Sequence, residues 1–66
     1  MERTIVIEYS VRGREQLERK TFRAGINDKI GYRIDAEGER GCLVVFVNKK
    51  TFVVPLMNLA LLEMDI

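Results

Sequence analysis

The amino-acid sequence predicts an all-β fold, about five short strands closing into a small curled sheet or barrel. Two stretches carry that expectation. "TIVIEYSV" (residues 4–11) alternates β-branched and aromatic residues with other types, and "CLVVFV" (residues 42–47) is an apolar run too short for a helix. The punctuation between apolar stretches agrees, because Gly13, Gly25, Gly38 and Gly41 all fall in polar segments. With 66 residues, the chain predicts one domain spanning 1–66. A chain of this size buries only about 60% of its unfolded surface, so it calls for a well-filled core, a second copy, or both.

The first strand covers residues 3–12, with Ile5, Ile7, Tyr9 and Val11 on one face and Thr4, Val6, Glu8 and Ser10 on the other. Gly13 ends it in a turn. Residues 14–24, "REQLERKTFRA", suit two templates. Propensity and the Glu15–Arg19 spacing favour a helix stopped by Gly25. That helix would put Leu17 and Phe22 on different faces. A strand instead pairs Tyr9 with Leu17 across the Gly13 loop and sets Arg19 beside Ile7. The first strand needs a neighbour, which favours the strand, curved or bulged near Lys20.

Gly25, Asn27 and Asp28 mark the next turn, and Ile30, Tyr32 and Ile34 then alternate with Gly31, Arg33 and Asp35 as a half-buried strand. "AEGERG" (residues 36–41) is a polar hairpin loop. "CLVVFV" reads as a central strand covered on both faces. A loop over Asn48–Thr51 would pair Val47 with Phe52 and Val45 with Val54, keeping large residues together.

The ending "TFVVPLMNLALLEMDI" admits a helix after Pro55 or a turn and a last strand. A helix would be apolar almost all round, with an acid in its last turn and no glycine cap. The strand places Leu62, Met64 and Ile66 inward and Leu61, Glu63 and Asp65 outward, behind a one-turn 3-10 piece at Pro55–Asn58. The strand is the better fit, and it leaves Leu61 as a large apolar residue facing out, a position for a partner contact.

The succession "NDKIGYRIDAEGERGCLVV" and then "TFVVPLMNLALLEM" resembles the central strands of SH3-like barrels, including the KOW type. The resemblance rests on Asp28, Ile30, Gly38, Gly41, Leu43, Pro55 and Leu59 and covers roughly half the chain. It implies a small barrel with a 3-10 turn before its last strand.

Several chemistries are excluded by composition. The chain has no histidine and one cysteine, so His-based catalysis and an internal disulfide are ruled out and a tetrahedral zinc site nearly so. Cys42, at the start of an apolar strand, is expected to be a buried structural thiol. Asp35, Glu37 and Glu39 form the start of a calcium-loop pattern, but Arg40 occupies the place of its glycine, so a solvated hairpin tip fits better. Neither a cofactor nor a small-molecule substrate is expected, and no enzymatic activity. The start carries charges at once, and the uncharged stretch from Thr51 to Leu62 is too short to span a bilayer, which takes about 20 residues. A cytoplasmic location without membrane contact is the expectation.

Net charge is only +1, yet the charges are uneven. From Ser10 to Arg33 stand seven basic residues and three acidic ones. Arg12, Arg14, Arg19, Arg23 and Arg33, with Tyr32 as a stacking partner, therefore form a candidate nucleic-acid-binding set on a small non-enzymatic module. The alternative is a protein-interaction or self-assembly module that uses the apolar C-terminal region and an edge strand.

Overall fold

A computed structural model of the chain describes residues 2–37 and 40–65. The fold is all-β. Six strands, β1 (Arg3–Tyr9), β2 (Glu18–Ala24), β3 (Ile30–Glu37), β4 (Arg40–Val47), β5 (Lys50–Pro55) and β6 (Leu59–Asp65), form two three-stranded antiparallel sheets. Sheet I has the order β2-β1-β6 and sheet II the order β3-β4-β5, and the two do not join into a closed barrel. One 3-10 turn, Leu56–Asn58, precedes the last strand, as the sequence predicts. The expected count of about five is one short, and the turn predicted at Gly25, Asn27 and Asp28 does separate β2 from β3, which lie in different sheets. No helix among the described residues is long and apolar enough to cross a membrane.

The core lies between the inner faces. Ile5 and Ile7 from β1 meet Leu43 and Val45 from β4 and Val54 from β5, all buried, with Tyr9, Phe22, Ile30, Phe52, Leu56, Leu59 and Leu62 packed round them. Burial of each such aliphatic side chain stabilises the fold by about 1.5–3 kcal/mol. The alternation read at Ile5, Ile7 and Tyr9 is therefore correct, although β1 ends at Tyr9 and not at residue 12. In the row expected inward on β6, Leu62 opposite Ile7 packs on the core, whereas Met64 shares that face opposite Ile5 and is 43% exposed. Ile66 of that row lies outside the described residues, as do Gly38 and Glu39 of the expected hairpin tip.

Residues 18–24 are a strand rather than a helix, but its register differs from the expected one. Tyr9 pairs with Glu18, Ile7 with Lys20 and Ile5 with Phe22. The loop is one residue longer than the Tyr9–Leu17 pairing requires, and this brings Phe22 inward while Arg19 turns outward beside Glu8. The irregularity expected near Lys20 occurs instead between β1 and β6, at Glu8 and Tyr9. Gly13 takes φ +85°, a left-handed conformation that suits glycine, and closes the turn in which the Arg14 N–H donates to the Val11 carbonyl.

The β4–β5 hairpin is also tighter than expected. Asn48 and Lys49 alone make the turn, so Val47 pairs with Lys50, Val45 with Phe52 and Leu43 with Val54. Asn48 adopts φ +56°, which its short side chain tolerates, and this permits the two-residue connection. Strand β4 is central, and Leu43, Val44 and Val45 are all buried. Cys42 departs from expectation, being half-buried on the outer face between Asp35 and Pro55. Strand β3 departs further. Tyr32 and Ile34 share the inner-face register of Val45 and Leu43, yet they are 40% and 56% exposed, so sheet I covers only the Ile30 end of this strand.

Candidate functional site

The arginines nominated by sequence do not share one surface. Arg19 and Arg23 lie on the outer face of sheet I, opposite Glu8 and Thr4. Arg33 lies on the outer face of sheet II, opposite Val44. Arg12 and Arg14 belong to the loop between β1 and β2. Tyr32 and Arg33 are neighbours on one strand and project to opposite faces, so they form no stacking pair. Four of the five also have carboxylate partners. Arg14 pairs with Glu18, Arg19 with Glu8 at 2.8 Å, Arg23 with Glu2 at 3.8 Å and Arg33 with Asp35 at 3.2 Å. Only Arg12 lacks one among the described residues.

The lysines behave differently. None of Lys20, Lys29, Lys49 and Lys50 joins an ion pair among the described residues, and all are exposed. Two of them flank a cleft of about 280 Å³ at the open end between the sheets, lined by Lys20, Phe22, Val47, Lys50, Thr51 and Phe52. Strand periodicity builds it. Lys20 and Phe22 are two apart on the inner face of β2, as are Lys50 and Phe52 on the inner face of β5. Here the inner faces diverge and admit solvent.

The rings form a chain. Tyr9 and Phe52 centroids are 5.7 Å apart and Phe22 and Phe52 centroids 5.8 Å, both tilted, in the range where aromatic pairs attract. The Lys20 ammonium stands 4.5 Å from the Phe52 centroid and 5.8 Å from that of Phe22. A cation held on a ring face keeps its full charge available, whereas a carboxylate partner would cancel it.

Neighbouring loops bring the other lysines to the same end of sheet II. The Asn48 N–H donates to the Lys29 carbonyl at 2.6 Å, and the Lys29 N–H donates to Asn48 Oδ1 at 3.0 Å. Asp28 accepts from Asn48 Nδ2 at 3.1 Å and from the Gly25 N–H at 2.9 Å. Arg3 closes the clamp by donating to the Gly25 carbonyl at 2.9 Å and to the Asp28 carbonyl. The hydrogen bond from Asn48, then that from Gly25, with a smaller contribution from the Arg3 charge, hold the Asp28 carboxyl below its usual 3.8.

A larger hollow, about 440 Å³, is lined by Arg14, Glu15, Gln16, Leu17 and Glu18. It is the concavity of one chain segment, draws no side chain from any other element, and balances two carboxylates against one arginine, so it is a weaker site. Among the described residues no cluster of cysteine and carboxylate side chains is placed to hold a metal ion.

Sequence reading missed the lysine–phenylalanine cleft because its members come from three segments. The available signal was the i, i+2 repeat of Lys-x-Phe, present twice, at 20–22 and 50–52. The partner position assigned to Leu61 falls on the outer face of β6, opposite Glu8, and is half-buried. Compared with protein-family models, curated proteins and solved structures, the chain matches none.

Proposed function

We propose that this chain is a small non-enzymatic binding module that takes single-stranded nucleic acid in the lysine–phenylalanine cleft. The carrying observation is the combination of Lys20 and Lys50, without carboxylate partners among the described residues, beside the rings of Phe22 and Phe52. Single strands are bound by such pairs of elements, a cationic track for phosphates and aromatic faces for bases. Lys29 and Lys49 extend the cationic track away from the rings. The arginines support this reading less, since most are already neutralised in place.

The strand succession also supports the SH3-like reading. Strand β1 lies between β2 and β6, the meander β3-β4-β5 follows, and a 3-10 turn leads into β6.

Fluorescence anisotropy with labelled oligothymidine and oligouridine tests the proposal. Binding is expected at low salt, with log affinity falling against log salt by about 0.7 per phosphate neutralised. An acidic peptide of equal charge is expected to compete poorly, because it offers no bases to the rings. Absence of binding at low salt, or equal competition by the peptide, would overturn the reading.

A further inference from the structure

The outer face of sheet I carries a charge pattern that the cleft does not use. The registers place its residues in three rows, Arg23–Thr4–Asp65, Thr21–Val6–Glu63 and Arg19–Glu8–Leu61, each running from β2 across β1 to β6. The β2 edge is therefore cationic and the β6 edge anionic. Glu63 and Asp65 are exposed and join no ion pair among the described residues. Val6, Thr4 and Leu61, between and beside the charges, are half-buried.

Two such faces can stack with their strands aligned in two ways. A two-fold axis across the strands sets β2 over the β2 of the second copy and β6 over β6, so like charges meet. An axis parallel to the strands sets β2 over β6. Arg23 then faces Asp65 and Thr21 faces Glu63, while on β1 Thr4, Val6 and Glu8 each meet their own copies. The two Glu8 carboxylates each carry the guanidinium of Arg19 at 2.8 Å. Arg19 lies over Leu61, where its methylene stem covers the leucine while the guanidinium keeps Glu8. The first arrangement opposes like charges at both the β2 and the β6 edges, whereas among these rows the second opposes only the Glu8 carboxylates, which Arg19 already neutralises. Like charges facing across an interface are strongly disfavoured, which selects the second arrangement.

We infer that two copies of this chain associate through the outer faces of sheet I about a two-fold axis parallel to the strands. Among the described residues the one ion pair Arg23 gives up is exposed and long, with Glu2 at 3.8 Å. Leu61 thereby gains apolar cover, and a domain too small for a large core gains buried surface. The association leaves the cleft free, because Lys20 projects from the inner face of β2 and Arg19 and Arg23 from the outer.

Sedimentation equilibrium on the full chain and two variants tests this. R23E sets two carboxylates face to face, D65R sets two guanidinium groups face to face, and symmetry repeats each clash twice. Each variant is expected to raise the dimer dissociation constant at least tenfold or so. An equal mixture of R23E and D65R restores opposite charges at both contacts, so a heterodimer is expected where neither variant dimerises alone. Circular dichroism checks that both variants keep the wild-type fold. A wild-type chain that stays monomeric at every concentration would overturn the inference. So would variants that dimerise like wild type, or folded variants whose mixture stays monomeric.

Discussion

Where the outer face of sheet I sets a carboxylate against each arginine of β2, the open end between the sheets leaves its lysines uncompensated. Both regions are cationic by sequence, and local pairing makes them different. On the outer face, Arg19 and Glu8 are directly opposite in the β1–β2 register, so antiparallel pairing neutralises the charge. At the cleft, the residues opposite Lys20 and Lys50 are Ile7 and Val47, which offer no counter-charge. The contrast teaches that a count of basic residues along the chain does not locate a cationic surface, whereas strand register does.

The largest effect that could break this contrast is on ligand affinity. The double variant K20E/K50E is expected to weaken oligonucleotide binding roughly hundredfold, since it replaces attraction to phosphates by repulsion. R14A and R33A should stay within about twofold of wild type, their charges being already paired. If anisotropy shows R14A or R33A losing as much as K20E/K50E, the distinction between the two cation sets fails.

A smaller effect separates stacking from charge. F52L keeps an apolar side chain of similar bulk, so urea unfolding is expected to show a loss below about 1.5 kcal/mol. Oligonucleotide affinity should fall about tenfold through the missing ring face. Unchanged affinity in a folded F52L would leave the cleft a purely ionic site.

The smallest effect concerns the clamp that gathers Lys29 and Lys49. The Asp28 carboxyl is held below its usual 3.8, so the folded state favours its ionised form. That contribution is present above the unfolded value and is lost as pH falls through the lowered folded value. The protection of the Gly25 and Asn48 amides, relative to their intrinsic exchange rates at each pH, should therefore fall on acidification below the usual carboxylate range, with little change in protection at Ile5 and Ile7. An equal fall in protection at all four amides would mean that the clamp opens only with the whole fold.

The fold was legible where one face of a strand is apolar by itself. Ile5 and Ile7 in β1, and Leu62 and Met64 in β6, announce their direction by alternation, and the turn after Pro55 follows from the poor helix its residues would make. Register was less legible, because it depends on loop length. One residue more before Glu18 and two fewer after Asn48 change which side chains face each other, and neither is visible in apolar periodicity. The exposure of Tyr32 and Ile34 could not be read at all, since it depends on how far sheet I reaches across sheet II. The same limit hid the cleft. Lys20 and Phe52 are distant in sequence and meet only because the two sheets open at that end.

On the outer face of sheet II, a side chain at Gly31 would begin 2.7 Å from Phe46 Cζ, so the phenylalanine ring lies across the bare glycine backbone of β3. That pair works as a key in a lock. Sliding β3 by one residue along β4 would turn Ile30, Tyr32 and Ile34 away from the core side. Sliding it by two would preserve the faces and bring either Lys29 or Arg33 opposite Phe46, whose ring would then have to swing off the backbone it now covers. An edge strand whose inner residues are half uncovered has weak apolar guidance for its alignment. The missing side chain at position 31 supplies that guidance from the opposite surface.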